Sequence, residues 1–91
     1  MELLQLRYFH EVAQTQHMTK SAKRLGVAQP ALTQAIRRLE GELDAKLFER
    51  AGRNIRLTPC GEALEAKVAP LLAAFDEIPL AIAQAKGQER D

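Results

Sequence analysis

The sequence predicts a mainly α-helical fold with three short helices, a two-stranded hairpin and a long C-terminal helix. Three observations lead to this prediction. Apolar residues recur at helical spacing along most of the chain, helix-start and helix-stop signals divide that pattern, and one central stretch alternates apolar with charged residues. The 91 residues suffice for one small domain with a modest core, but not for an additional catalytic domain.

The first two predicted helices span about 3–15 and 19–25. The first is predicted by apolar positions that share one helical face, namely Leu3, Leu6, Phe9, Val12 and Ala13. The second is expected to start at Thr19, whose hydroxyl can cap an unpaired backbone amide, and to end at Leu25. Gly26 follows at the position where a left-handed backbone conformation is least costly for glycine.

The third predicted helix runs from Gln29 to about Leu43. Pro30 falls in its first turn, where the missing N–H would be unpaired in any case. One face is apolar and is expected to turn to the core, through Leu32, Ile36, Leu39 and Leu43. The opposite face carries short amide and hydroxyl groups followed by arginines, namely Gln29, Thr33, Gln34, Arg37 and Arg38. Such groups suit recognition of a ligand better than they suit plain solvation.

A short hairpin is predicted over about 47–57. Its tip, Ala51 to Asn54, carries Arg53 between two apolar-containing strands. Two strands alone are marginally stable, so Phe48, Ile55 and Leu57 are expected to lean on the helices.

The pair Thr58-Pro59 predicts the start of a helix that continues to about Lys86, which would be roughly 40 Å long at 1.5 Å per residue. A heptad pattern of apolar residues runs along it and predicts a dimerisation seam, formed by Leu64, Val68, Leu71, Phe75, Ile78 and Ile82. The simplest partner is the same helix of a second copy. Pro70 and Pro79 fall off the seam and are expected to bend the helix without abolishing pairing. The alternative is a single helix that folds back on the preceding helices and hairpin of its own chain.

Positive charge is concentrated in the middle of the chain. Between Thr19 and Leu57 there are nine basic and four acidic residues, whereas the flanking segments hold four basic and eight acidic residues. This asymmetry favours a surface for a polyanion, although charge alone leaves an ordinary solvated face as an alternative.

Other classes of protein find little support in the composition. A single cysteine, Cys60, allows no internal disulfide and fits a reducing cytoplasm. Neither a signal peptide nor an apolar stretch of membrane-spanning length is expected. The acidic residues Glu40, Glu42 and Asp44 form no convergent pair with a histidine, and no metal-binding spacing or Gly-rich phosphate loop occurs. We therefore expect no enzyme, no metal site and no membrane partner.

The second and third helices together predict a helix-turn-helix. Ala22 is small enough for the helices to cross closely, Gly26 permits a tight turn, and Val27 and Leu32 can pack behind it. The basic hairpin that follows would add a β wing, so that the domain could address two adjacent grooves of a nucleic acid.

Three segments carry a family resemblance: AQPALTQAIRRLEGEL, the LFER that follows, and the helix start LTPCGE. They lie within the run LLQLRYFHEVAQTQHMTKSAKRLGVAQPALTQAIRRLEGELDAKLFERAGRNIRLTPCGE, which resembles the N-terminal winged helix-turn-helix domain of the LysR-type transcriptional regulators. The sequence departs from the family pattern at Ala28, often serine, at Gln34, often arginine, and at Asp44, commonly glycine. The second departure blurs any prediction of the target sequence.

The resemblance implies a bacterial cytoplasmic regulator that binds an interrupted inverted repeat in double-stranded DNA. Residues 1–58 would form the DNA-binding domain, with the helix-turn-helix at about 18–37 and the wing at about 47–57, and residues 59–91 the linker helix for a homodimer. The family continues into a domain that binds a small-molecule effector, so we expect this chain to be a fragment without a cofactor of its own. The full-length protein is expected to form a tetramer.

The predicted DNA contacts fall into two groups. Base contacts in the major groove are expected from Gln29, Thr33 and Gln34, with Pro30 and Thr33 able to touch a thymine methyl. Contacts to phosphates or the minor groove are expected from Arg37, Arg38, Arg53 at the wing tip with Arg50 and Asn54 in support, and Thr19 and Lys20 at a helix N-terminus. The rival interpretations are an Arg38–Glu42 pair within the helix, a solvated wing, and ordinary helix surface. At the level of function, the rivals are a coiled-coil protein-interaction module and a non-specific nucleic-acid binder.

Overall fold

The computed structural model describes residues 1–88, and its architecture confirms the predicted fold class. Along that range there are five helices and one two-stranded antiparallel sheet. Their bounds are α1 Leu3–Thr15, α2 Met18–Leu25, α3 Gln29–Leu43, β1 Phe48–Ala51, β2 Asn54–Leu57, α4 Pro59–Asp76 and α5 Ile78–Gln88. The final three residues of the predicted linker segment 59–91 lie outside the described residues.

The ends of α1 and α3 agree with the sequence prediction, and each of the first three helices stops at a left-handed residue. Gly26 adopts φ +70 at the end of α2, as predicted. Gln16 and Asp44 adopt φ 53 and φ 51 at the ends of α1 and α3. A side chain makes this conformation costly, by about 1 kcal/mol per residue, so both positions carry backbone strain that Gly26 avoids.

The start of α2 was predicted wrongly. The N-cap is His17 rather than Thr19, because the His17 backbone is extended and its Nδ1 accepts a hydrogen bond from the Lys20 N–H at 3.1 Å. The Thr15 hydroxyl accepts from the His17 N–H at 3.1 Å and fixes the approach to the helix. Thr19 therefore lies within the first turn of α2, and its side chain is free to make another contact.

The wing is tighter than the sequence suggested. Ala51 pairs with Asn54 in the register of the two strands, so the reversal consists of Gly52 and Arg53 alone. Gly52 has φ +65, which fits a two-residue turn with glycine at its first position. On the helix side of the hairpin, the Phe48 ring packs against Phe9 with 5.5 Å between centroids.

The head consists of α1, α2, α3, the wing and α4 as far as Leu72, and one apolar core holds these elements together. Helix α1 packs against α2, α3 and α4 around that core. The core's most completely buried apolar side chains are Phe9, Val12, Leu32, Leu39, Leu47 and Val68. The burial of Val68, together with buried Leu72 and half-buried Leu64, shows that α4 lies on the head as far as Leu72. The head thus covers Val68 and partly covers Leu64, two residues predicted for the dimerisation seam, because heptad spacing does not reveal which neighbour covers a helix face.

The long C-terminal helix is interrupted beside Pro79, one of the two prolines expected to bend it, and so consists of two helices. Helix α4 ends at Asp76, Glu77 forms a turn, and α5 begins at Ile78. Pro79 explains the break, because it cannot donate a hydrogen bond to the carbonyl four residues earlier and its ring crowds that carbonyl. Pro70 lies inside α4, whose assigned helix continues through it.

The helical region Pro59–Gln88 is long and apolar enough to cross a membrane by length and composition, which corrects the expectation from sequence. Its most apolar 18 residues have a mean hydropathy of 1.4. Asp76 and Glu77 interrupt the apolar stretch between Lys67 and Lys86, and a carboxylate at a bilayer centre costs about 3 kcal/mol. Val68 and Leu72 are already buried against the head. The apolar character of this region therefore fits packing against protein better than insertion into lipid.

Arg7 joins α1 to the end of α4. Its guanidinium forms an ion pair with the Asp76 carboxylate, with Nη1 and Oδ2 at 3.3 Å, and lies 5.4 Å from the centroid of the Phe75 ring. The hydrogen bond from Arg7 is the main cause that lowers the pKa of Asp76 below its ordinary value. The same bond raises the pKa of Arg7.

The first turn of α4 meets the wing at Gly61, which is buried. A Cβ at this position would overlap the backbone carbonyl oxygen of Leu47 and would lie 2.8 Å from Leu57 Cδ2. The Leu47 carbonyl cannot move away cheaply, because it accepts a hydrogen bond from the Thr58 N–H at 3.0 Å. The closeness of α4 to the wing thus depends on the absence of a side chain at residue 61.

We predict that G61A lowers the free energy of unfolding by about 2 kcal/mol, because overpacking outweighs the better helix propensity of alanine. G41A is the matched control, since Gly41 lies in α3 with open space around its would-be Cβ. That substitution should raise the free energy of unfolding by about 0.5–1 kcal/mol. Urea denaturation at one protein concentration measures both. Stabilisation by both substitutions would contradict the close approach of α4 to Leu47.

We also predict that R7M raises the pKa of Asp76 towards its ordinary value, because its main hydrogen-bond donor is lost. A folded-state pKa below the unfolded value means that the pair stabilises the protein fully above the unfolded pKa and loses this effect as the pH falls through the folded pKa. An NMR titration of the Asp76 carboxyl carbon measures the shift. R24M, which removes the partner of Glu11, is the control and should leave Asp76 unchanged. An unchanged Asp76 in R7M would refute the contact.

Candidate nucleic-acid interface

The predicted recognition residues come together on one face of the head. A groove of about 390 Å³ runs between α3, the wing and the turn before α2. Its lining comprises Gln29, Thr33 and Arg37 from α3, Arg50, Arg53, Asn54 and Ile55 from the hairpin, and Gln16, His17, Met18 and Thr19 from the turn and α2. A shallower groove continues along α3 and is lined by Gln29, Pro30, Thr33, Gln34 and Arg37. Lys20 and Arg38 are exposed but belong to neither lining.

The orientation of α3 follows from its buried side. Leu32 and Leu39 are 0% exposed and Ile36 is 4% exposed, so these three side chains belong to the core. Leu43, which was also expected to face the core, is the last residue of α3 and is 40% exposed. The opposite face is consequently held towards solvent, where Gln29 and Gln34 are exposed. Thr33 is half-buried between them. The helix therefore presents amides and one hydroxyl on a rigid support.

The arginines of this face are available for an anionic ligand. Among residues 1–88, no carboxylate lies within ion-pair distance of Arg37, Arg50 or Arg53. Arg56 differs, because its Nε contacts Glu49 Oε1 at 2.9 Å on the neighbouring strand. Within the described part of the chain, Arg56 is therefore paired inside the wing, whereas Arg53 in its turn has no ion-pair partner.

The rival interpretation of Arg38 is not seen. Glu42, its expected partner, instead contacts the amino group of Met1 at 2.5 Å. Within the described residues Arg38 makes no ion pair, and it remains exposed near the C-terminal half of α3. A phosphate contact from Arg38 stays a prediction.

The N-terminus of α2 differs from the predicted phosphate site. The backbone amide of Lys20 is occupied by His17 Nδ1, so it does not point free into solvent. The Thr19 hydroxyl donates to the side-chain Oε1 of Gln29 at 2.9 Å. In the unbound protein, therefore, Thr19 bridges the two helices of the helix-turn-helix.

Sequence reasoning missed the contribution of Gln16, His17, Met18 and Ile55 to this groove. The Ile55 N–H donates to the Gln16 carbonyl at 3.4 Å, which ties the second wing strand to the turn before α2. A backbone contact of this kind has no sequence signature. The sequence Gln-His-Met could have indicated an earlier helix start, because an imidazole nitrogen accepts a hydrogen bond as a capping hydroxyl does.

No cluster of three His, Cys, Asp or Glu side chains suited to a metal occurs among the residues that the structure describes. Cys60 is exposed in the first turn of α4, away from the residues that line the groove. The chemistry offered by this face is hydrogen bonding and positive charge.

Comparison with known proteins decides the family. Residues 3–62 match the model of the bacterial regulatory helix-turn-helix proteins of the lysR family. The chain belongs to the LysR family. One curated relative of this LysR-family chain is the HTH-type transcriptional regulator BudR of Klebsiella aerogenes, 44% identical over 90 residues. The match covers 99% of this chain and 61% of BudR, so the chain spans about three fifths of that relative's length.

Solved structures of similar proteins have the same architecture. A BenM_DBD/catB site 1 DNA complex superposes with a TM-score of 0.89 at 36% identity, over 99% of this LysR-family chain and 97% of that one. A CbnR_DBD–DNA complex superposes with a TM-score of 0.82 at 34% identity, over 99% of this chain and 100% of that one. The similarity extends over the helix-turn-helix, the wing and the helices that follow.

Proposed function

We propose that this chain binds double-stranded DNA at specific sequences, as the DNA-binding part of a LysR-type bacterial transcriptional regulator. One observation carries the proposal: a single exposed face combines the amides and hydroxyl of α3 with three arginines, Arg37, Arg50 and Arg53, that lack ion-pair partners among residues 1–88. Two solved structures of similar chains, BenM_DBD and CbnR_DBD, are complexes with DNA. The proposal assigns no enzymatic activity to the chain.

The dimensions of B-DNA suit this face. The major groove is about 12 Å wide and admits one α-helix, and α3 is the helix whose polar side is held away from the core. Gln29, Thr33 and Gln34 would meet base edges, with Pro30 near a thymine methyl. Arg37 and Arg38 would contact phosphates where the helix leaves the groove, because such contacts position a protein without specifying sequence.

The wing would reach the adjacent minor groove. Arg53 occupies one of the two positions of the turn and is exposed at its extremity. Narrow A·T-rich minor grooves concentrate negative potential and favour an inserted arginine. Arg50 and Asn54 would support it through the DNA backbone, and the exposed Lys20 would face a phosphate at the other side of the groove.

The partner for dimerisation would be a second copy of the chain. Beyond the head, α4 and α5 expose a series of large apolar side chains, of which Phe75 is 45% and Ile82 is 55% exposed. Leu71, Ile78 and Leu80 are also exposed, whereas Leu64 and Val68 turn towards the head. We therefore revise the proposed seam to Leu71, Phe75, Ile78 and Ile82, with Leu80 beside it.

The domain organisation follows from the same division. Residues 1–58 with α4 as far as Leu72 would form the DNA-binding head, and the remainder of 59–91 would form most of the dimerisation segment. In the full-length regulator a further domain would bind a small-molecule effector, the assembly would extend to a tetramer, and the protein would act in the bacterial cytoplasm. The chain itself needs no cofactor for the proposed binding.

We predict that Q29A and R53A weaken binding to a duplex selected by the wild-type protein from a random library. Loss of the Gln29 base contact should cost about tenfold or more in affinity for the selected site, with little change on unrelated DNA. Loss of the Arg53 charge should weaken binding to the selected site and, to a smaller extent, to unrelated DNA. R56A is the matched control for a lost wing charge, because Glu49 already pairs with Arg56. Gel-shift titration measures all three variants.

Two results would overturn specific recognition. Equal affinity for selected and unrelated duplexes, with a steep loss of binding as salt rises, would indicate a non-specific nucleic-acid binder. If the affinity of the chain for its ligand changes little as salt rises, an apolar protein-interaction module is favoured, because binding to a protein surface releases no counterions from phosphates.

We predict that the wild-type chain sediments as a dimer at micromolar concentration and that I82D makes it monomeric, because a carboxylate would be buried in the seam. Q84D is the control, since it adds the same charge on another side of α5. I82D should bind a duplex with two half-sites no better than one with a single half-site. A wild-type chain that stays monomeric with DNA present would refute pairing through this surface.

A further inference from the structure

The hydrogen bond between Thr19 and Gln29 connects the two helices of the helix-turn-helix. Thr19 lies in the first turn of α2 and Gln29 is the first residue of α3. The Thr19 hydroxyl donates to Gln29 Oε1 at 2.9 Å, and both side chains are exposed on the groove. A flexible amide at the recognition surface is therefore held by a residue outside the recognition helix.

The support for the Thr19 hydroxyl is rigid. Ser21, two residues further along α2, is 0% exposed. Its hydroxyl lies 2.5 Å from Thr15 Oγ1 and 3.3 Å from the Glu11 carbonyl, so it fixes α2 against the end of α1. The Val27 N–H donates to the Ala22 carbonyl at 3.0 Å and closes the turn towards α3. The position of Thr19 relative to Gln29 is thus set by packed elements.

In the structure the bond is made to Gln29 Oε1, so the Thr19 hydroxyl holds that corner of the amide towards α2. A glutamine amide carries an accepting oxygen at one corner and an NH₂ group with two donors at the other. With Oε1 turned to Thr19, Nε2 lies at the opposite corner, and its N–H groups have no acceptor among the described residues. Gln29 consequently offers hydrogen-bond donors to a ligand.

The major groove distinguishes bases by donor and acceptor pattern. Adenine and guanine present N7 as an acceptor, guanine adds O6, and thymine presents O4. Cytosine presents only the donor N4–H₂ at the corresponding edge. An amide that points its donors outward would bind the first three bases and reject cytosine.

We propose that Thr19 is a positioning residue that locks the Gln29 amide with its donors outward, so that Gln29 reads a base with a major-groove acceptor and excludes cytosine. This inference rests on the proposed function and refines it. It also gives the Thr19 hydroxyl a role other than the phosphate contact expected from sequence. A freely rotating Gln29 amide would accept from cytosine as readily as it donates to a purine.

The test starts from duplexes selected by the wild-type protein, in which Q29A identifies the base pair that Gln29 reads. The four bases at that position are then compared by gel shift for wild type, T19V and T19S. Wild type should bind the cytosine duplex about tenfold more weakly than the best base, within the range expected for one base contact. T19V should reduce this discrimination to near equality, and T19S, which keeps the hydroxyl, should retain it.

A double-mutant comparison separates positioning from direct contact. In the Q29A background, T19V should have no further effect on any duplex. If T19V instead weakens all four duplexes equally and does so with Q29A as well, Thr19 contacts a phosphate and the proposal is wrong. Unchanged discrimination in T19V would overturn it equally.

A measurement without DNA guards against a folding artefact. ¹⁵N relaxation of the Gln29 side-chain amide should show an ordered Nε2 in wild type and T19S, and a mobile one in T19V with the backbone of α2 unchanged. An amide equally mobile in all three proteins would refute the lock. If the wild-type protein selects no common sequence, the proposed function is wrong before any Thr19 variant is compared. This result distinguishes failure of the proposed function from failure of the positioning role of Thr19.

Discussion

The geometry of the whole head depends on the packing of α1 against three other helices. Phe9 is 0% exposed at the centre of this contact and also touches the wing through Phe48. Because protein interiors are close-packed, a shift of α1 would be transmitted to every element that it supports. The angle between α3 and the wing, and hence the spacing between an amide and an arginine on the exposed face, is a property of this one core.

On the proposed function, the exposed face divides affinity and specificity between different groups. Guanidinium groups such as those of Arg37 and Arg53, which have no ion-pair partner among residues 1–88, would attract a polyanion of any sequence and make binding salt-dependent. Short amides and hydroxyls such as Gln29 and Thr33 have directional donors and acceptors, so they can discriminate among base edges. Eight of the 12 acidic residues lie before Thr19 or after Leu57, outside the segment that carries most of the positive charge.

Sequence patterns predicted the elements of the head well where one local signal dominated. The ends of α3 followed from Pro30 and an unbroken apolar stripe, and the wing followed from alternation around a glycine. The cap of α2 was missed because His17 competes with a threonine that is a more usual capping residue. Heptad spacing could not show that Val68 faces the head, since periodicity defines a face but not what covers it. The hydrogen bond from Thr19 to Gln29 depends on how α2 and α3 cross, and no local sequence pattern predicts that crossing.

The burial of Val68 and Leu72 in the core of the head has a consequence for synthesis on the ribosome. The N-terminal helix is made first, yet its side of the core stays open until residues more than 50 positions later have been translated, as the distance along the chain from His10 to Glu65 illustrates. Domains otherwise tend to fold as they emerge. The nascent head therefore stays incomplete until the start of the linker has left the exit tunnel. The proposed DNA-binding face would then form only as the proposed dimerisation segment begins to emerge.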